Sequence, residues 1–207
     1  MDLQILKVLL DNLFLAGQLD GFEKTLVVAI QEAEQLDNQI VLSDLILISA
    51  QFDYLQGRYI YAKEKLEAVI KNKSQLIDKI GLTKAYVELA KLEKSLYNTN
   101  ISDDHNEKAL AIAKECDYHN LQAEILNNMA ISKKEKKLID EAILLYDESL
   151  MIANKVGDKT GISKILFNKA NILKEKNRLD EAEKMYKQSL DILRTLGDKR
   201  RIACPLS

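Results

Sequence analysis

The sequence predicts an all-α fold, a solenoid of five antiparallel helix pairs. Only seven glycines and one proline interrupt the 207 residues, so long helices are favoured. The segment 165–199 aligns with 125–159 when it is moved back by forty residues, and Leu-Asp-Glu-Ala at 179–182 then falls on Ile-Asp-Glu-Ala at 139–142. Repetition at a fixed period of this length is typical of a solenoid, in which each helix pair buries its apolar faces against its neighbours.

Small residues recur along the chain at the same forty-residue step, and small side chains let two antiparallel helices approach closely. In the first helix of each pair they follow Leu10 and are Ala50, Ala90, Ala130 and Ala170. In the second helix they follow Phe22 and are Ala62, Ser102, Ala142 and Ala182. We expect one domain over residues 1–199, with repeats that start near residues 3, 43, 83, 123 and 163. Residues 200–207 are expected to form a partial capping turn or a truncated sixth repeat.

The turn between the two helices of a pair carries a residue suited to end a helix. Gly57 and Asn177 can supply the left-handed conformation that closes a helix C-terminus. The third repeat differs, because the asparagine-containing segment 97–104 replaces the turn and Ser102 is a good N-cap residue. We expect the second helix of this repeat to start late and to be the most mobile part of the stack.

The repeating units resemble the tetratricopeptide repeat, in its forty-residue variety. The segment Gly57-Arg58-Tyr59-Ile60-Tyr61-Ala62 carries the resemblance together with the fourth and fifth units, and the period extends it over essentially the whole chain. The resemblance implies a right-handed solenoid whose concave surface is lined by the first helix of each pair. It also implies a scaffold that binds proteins or peptides.

Composition and motifs argue against several other functions. A net charge of −2 lacks the basic footprint of a protein that binds nucleic acid directly. No apolar run approaches transmembrane length, and we expect a cytoplasmic protein with no membrane contact. The cysteines at 116 and 204 and the histidines at 105 and 119 lack metal-ligand spacing, so no metal or cofactor is expected. There is no glycine-rich phosphate loop or HExxH, and we expect no enzyme activity.

A stripe of asparagines and lysines on the first helices of repeats three to five is the candidate binding site. Its residues, carried over from the resembled family position by position, are Lys91, Lys94, Asn127, Asn128, Lys134, Phe167, Asn168, Asn171 and Lys174. Asparagine amides can pair with the backbone of an extended peptide whatever its sequence, and lysines favour an acidic partner. The segment 126–130 is also similar to the cargo-binding repeats of kinesin light chain. The alternative interpretation is that these asparagines are simply exposed on helix surfaces.

A second candidate site is apolar and lies in the first two repeats. Its residues are Val8, Phe14, Leu47, Ile48 and Tyr54. Apolar residues on a concave face indicate a patch that a partner or a second copy of the chain covers, which makes a homodimer possible. The alternative function is therefore a sensor or oligomerisation segment of a larger regulator. The other interpretation is that these first helices are simply more buried.

Overall fold

The computed structural model describes Leu10, residues 21–75 and residues 78–197. Within these residues the regular structure is entirely α-helical, which confirms the predicted all-α repeat fold. The helices are α1 (Phe22–Gln35), α2 (Gln39–Leu55), α3 (Tyr59–Gln75), α4 (Lys79–Ser95), α5 (Thr99–Glu115), α6 (His119–Glu135), α7 (Ile139–Val156), α8 (Lys159–Glu175) and α9 (Leu179–Leu196). The chain divides after Ile112 into two compact units, here called the first unit and the second unit.

The helices begin at a constant forty-residue step. The first helices of successive pairs begin at Gln39, Lys79, His119 and Lys159, and the second helices begin at Tyr59, Thr99, Ile139 and Leu179. The four alanines at the predicted close-approach positions of the first helices (50, 90, 130 and 170) are all buried. The period of the sequence is therefore the period of the structure. The predicted repeat starts near 43, 83, 123 and 163 lie about one turn after these helices begin.

The third repeat follows the same step, so the prediction of a late second helix is wrong. α5 begins at Thr99, and Ser102 lies inside it rather than at its N-cap. The Ser102 side chain is buried and its hydroxyl donates to the carbonyl oxygen of Ala90 on α4 over 2.8 Å. A serine can occupy a small-residue position in a helix interface because its hydroxyl finds a backbone acceptor there.

Each described turn between the helices of a pair contains a residue in the left-handed conformation. Gly57 has φ +75° and Asn177 has φ +59°, as the turn pattern predicts, but Tyr97 and Lys137 also adopt φ +63°. A residue with a side chain is strained in this conformation, whereas glycine is not. Tyr97 is 92% exposed, so the strain is not offset by burial of its ring.

Replacing Tyr97 with glycine should therefore stabilise the first unit by about 1 kcal/mol, because it removes the left-handed strain and costs no packing. The check is the free energy of unfolding from urea denaturation followed by circular dichroism. Gly57→Ala is the reverse control and should destabilise the chain by a similar amount. An unchanged or lower stability for Tyr97→Gly would contradict this account of the turn.

The core of the second unit is built around one aromatic side chain. Tyr146 on α7 is 1% exposed and lies in a cluster with alanines of α6 and α7 and with Ile165 and Ile172 of α8. Ser149 ties α7 to α6 by donating to the carbonyl oxygen of Ala123 over 2.6 Å. These contacts hold α6 and α8, the two first helices of the unit, in a fixed relation. No helix in the described part of the chain has the length and hydropathy needed to span a bilayer.

Candidate functional site

The second unit brings most of the predicted binding residues onto two neighbouring helices. Asn127, Asn128 and Lys134 lie on α6, and the others lie on α8. We call this set the amide–lysine surface: Asn127, Asn128, Lys134, Phe167, Asn168, Asn171 and Lys174. Lys91 and Lys94 lie on α4 and belong to the first unit.

Asn127 is the most buried residue of the amide–lysine surface. The sequence predicts an exposed side chain at this position. Asn127 is instead 1% exposed, because its side chain lies in the interface between α6 and α8. Its Oδ1 accepts a hydrogen bond of 3.0 Å from Nδ2 of Asn168, which fixes the orientation of the amide. Its Nδ2 is buried and has no hydrogen-bond partner among the described residues.

The neighbouring Asn128 repeats this feature. The residue is partly exposed, but its Nδ2 is buried and lacks an acceptor in the described part of the chain. Buried polar groups in folded proteins are nearly always hydrogen-bonded, and an unpaired donor costs about 1–3 kcal/mol. A carbonyl or carboxylate oxygen that accepts a hydrogen bond from either of these two adjacent donors on α6 would therefore be stabilised.

Asn171 and Phe167 are held by a residue that the sequence analysis missed. The hydroxyl of Tyr186 on α9 donates to Oδ1 of Asn171 over 2.5 Å, and its ring lies 5.5 Å from that of Phe167. Burial and the nearby carboxylate of Glu175 raise the pKa of Tyr186, so its hydroxyl stays protonated as a donor. The only sequence signal was the recurrence of tyrosine at 146 and 186.

The predicted lysines differ in their ion pairs and in their exposure. Lys134 forms an ion pair with Glu175 over 2.7 Å, and Lys91 forms one with Glu88 over 2.9 Å. Lys174 is exposed, and Lys94 is partly buried on α4. The predicted positive surface is therefore partly neutralised by acidic neighbours.

A cavity of about 300 Å³ opens between the N-terminal halves of α6 and α8. Asn127 lines it, together with the apolar side chains of Leu121, Ala123 and Ile165. The rest of the wall consists of charged residues of both signs and of Asn120, Thr160 and Gly161. No motif in the sequence indicates this cavity.

The predicted apolar patch is not an exposed surface where the structure describes it. Leu47 and Ile48 are 7% and 4% exposed and lie in two separate core clusters. Tyr54 is partly buried, with its hydroxyl 2.8 Å from Oγ of Ser95. Val8 and Phe14 lie outside the described residues. The interpretation that the first helices are simply more buried fits Leu47 and Ile48, so these two residues do not support self-association.

The described residues contain no group of three or more histidine, cysteine, aspartate or glutamate side chains placed to hold a metal ion. Cys116 follows the last residue of α5 and is partly exposed.

The fold and the paired first helices define a helical-repeat protein. Residues 121–195 match the tetratricopeptide repeat family, which confirms the resemblance seen in the sequence. No curated protein matches the chain.

Solved structures agree on the fold. BtubC from P. vanneervenii matches with a TM-score of 0.73 at 18% identity, over 93% of this chain and 80% of that one. Aspartyl phosphate phosphatase F from Bacillus subtilis matches with 0.77 at 13% identity, over 86% of this chain but only 47% of that one. The TPR-like repeats of a kinesin light chain-type protein from Podosopora anserina match with 0.66 at 15% identity, over 97% and 100%. At these identities the likeness concerns the fold alone.

Proposed function

We propose that the chain is a non-catalytic scaffold that binds an extended peptide of a partner protein on the amide–lysine surface. The observation that carries this proposal is the pair of buried amide donors on α6, Nδ2 of Asn127 and Nδ2 of Asn128, which lack acceptors among the described residues. The carbonyl oxygens of an extended peptide are the acceptors that such donors fit. The match to tetratricopeptide repeats over residues 121–195 is consistent with a binding role.

The proposed mechanism is capture of the peptide backbone by amides that are already oriented. Asn168 holds Asn127 through the 3.0 Å hydrogen bond, and Tyr186 holds Asn171. Because these side chains are ordered before binding, little of their conformational entropy is lost when the peptide arrives. Lys174, which is exposed on α8 of the same unit, would give a preference for acidic peptides. We also propose that residues 1–199 form a single domain.

We expect the double variant Asn128→Ala, Asn168→Ala to bind peptide about 30- to 100-fold more weakly, since two hydrogen bonds of about 1–1.5 kcal/mol each are lost. Stability should fall by only about 1 kcal/mol, because Oδ1 of Asn127 loses its donor. Isothermal titration calorimetry with peptides selected from a random nonapeptide library measures the affinity, and urea denaturation measures the stability.

Asn154→Ala is the matched control for this experiment. Asn154 is an exposed asparagine of α7 in the same unit, and its amide donates to the carbonyl oxygen of Leu150. The control variant should bind like the unmodified chain. A double variant of unchanged affinity would refute capture by the amide–lysine surface.

A further inference from the structure

We infer that the cavity between α6 and α8 is a specificity pocket that receives one uncharged, apolar side chain of the bound peptide. This inference rests on the proposed function and adds to it the chemical class of the residue that is recognised. Backbone capture by amides alone would bind many sequences equally well. A side-chain pocket beside the amides would give the surface a sequence preference.

Part of the cavity wall is apolar and belongs to the core of the unit. Leu121, Ala123 and Ile165 line it, and Ala123 and Ile165 also belong to the core cluster around Tyr146. The Ala123 backbone is held by the hydroxyl of Ser149. A preformed apolar wall gains free energy from a buried apolar side chain without rearranging to accept it.

The start of α8 is also fixed at the edge of the cavity. Oδ1 of Asp158 accepts a hydrogen bond of 2.9 Å from the backbone N–H of Gly161, and both residues line the cavity. A Cβ atom at position 161 would lie 2.2 Å from Oδ2 of Asp158, so a larger residue there would displace the capping side chain. The cavity therefore has its shape before any ligand binds.

Desolvation disfavours an ionised side chain in the cavity. Glu124 and Asp158 line it with negative charge and Lys164 lines it with positive charge, so the wall carries charges of both signs. A charged side chain would lose its hydration there, and an uncharged side chain avoids this cost.

Asn127 connects the cavity to the peptide backbone. It lines the cavity, and its buried Nδ2 has no acceptor in the part of the chain that the structure describes. In an extended peptide a carbonyl group and the side chains beside it are joined through a single Cα atom. A carbonyl that accepts from Nδ2 of Asn127 thus brings a neighbouring side chain to the mouth of the cavity.

The test uses the full chain and a library of nonapeptides, acetylated and amidated at their ends and randomised at every position. We expect the selected peptides to share one apolar residue at a fixed position. Changing that residue to alanine should weaken binding by about tenfold or more. The variant Leu121→Ala enlarges the cavity and should shift the preferred residue to a bulkier one, a change that unfolding cannot produce.

Leu144→Ala is the matched control, because Leu144 is an exposed leucine of α7 that does not line the cavity. It should leave the preference unchanged. Selected peptides without a shared apolar position, or a preference that Leu121→Ala does not alter, would overturn the pocket and leave the amide capture intact. If no peptide is selected by the unmodified chain, both the pocket and the proposed function are overturned.

A second measurement does not depend on affinity differences between variants. The methyl resonances of Ile165 should shift when a selected peptide is added, and should not shift with the same peptide carrying glycine at the apolar position. Equal shifts with both peptides would contradict occupation of the cavity.

Discussion

The variant Tyr146→Ala is expected to lower the free energy of unfolding of the second unit by about 3–5 kcal/mol. Tyr146 has the largest fully buried side chain in the described part of the chain, and its ring fills the space between the alanines of α6 and the isoleucines of α8. Removing the ring leaves a cavity. The helices cannot move together to fill it, because the hydrogen bond of Ser149 fixes α7 to α6. A total stability of 5–15 kcal/mol is usual for a domain, so this loss is severe.

Hydrogen exchange of the amides in α6, α7 and α8 and urea denaturation both measure this loss. Tyr186→Ala is the control at the forty-residue equivalent position, where the tyrosine is only partly buried, and its loss of stability should be much smaller. Peptide binding by the Tyr146→Ala variant should fall together with its folded fraction. If Tyr146→Ala costs no more than Tyr186→Ala, the core of the second unit does not depend on this ring.

The fold could be predicted from the sequence because the repeat period alone indicates it. A forty-residue period places Ala50, Ala90, Ala130 and Ala170 at equivalent buried positions, and each position requires only that two helices approach closely. The local departure in the third repeat misled the prediction. Ser102 favours an N-cap when its neighbours alone are considered, but the carbonyl of Ala90 offers it a partner that only the helix pairing reveals.

The candidate site could be predicted only in part, because the first helix of a repeat packs against neighbours on both sides. Positional analogy with the family assigned Leu47, Ile48 and Asn127 to an exposed surface, and all three are buried. Burial of a leucine removes it from a binding surface. Burial of Asn127 leaves an unpaired amide donor between the helices, and no sequence pattern reveals such a donor. The cavity was also unpredictable, since it depends on how the side chains of two helices fill a volume.

In the first unit, Lys63→Met is expected to lower the free energy of unfolding by about 2–4 kcal/mol at pH 7. Glu93 is 1% exposed, and its carboxylate is held by Nζ of Lys63 at 2.7 Å and by Nδ2 of Asn98 at 2.8 Å. Methionine keeps most of the packing of the lysine stem but leaves a buried negative charge without its cation. Lys187→Met, which breaks the exposed pair with Glu183, is the control and should leave the stability almost unchanged.

The pH dependence of stability should change sign in the Lys63→Met variant. In the unmodified chain burial pushes the pKa of Glu93 up, but the hydrogen bonds from Lys63 and Asn98 outweigh it, so the pKa lies below its usual value of 4.5. The ion pair therefore contributes its stability above pH 4.5, and this contribution is lost as the pH falls through the lowered pKa. Without Lys63, burial dominates and the pKa of Glu93 rises above the value in the unfolded chain. Folding then takes up a proton, and lowering the pH from 7 to 5 should stabilise the variant.

Urea denaturation at pH 7 and pH 5 tests the gain in stability expected for the variant, since Glu93 of the unmodified chain contributes no change in this range. His105 lies near Glu93, and burial lowers the pKa of His105, so its own protonation destabilises the fold below about pH 6.5. The comparison is therefore made in a His105→Gln background. Adding Glu93→Gln to Lys63→Met should restore most of the stability at pH 7 and abolish the gain at pH 5, because no buried charge remains. If the Lys63→Met variant instead loses stability on acidification, the pKa of Glu93 does not rise when the lysine is removed, and this account is contradicted.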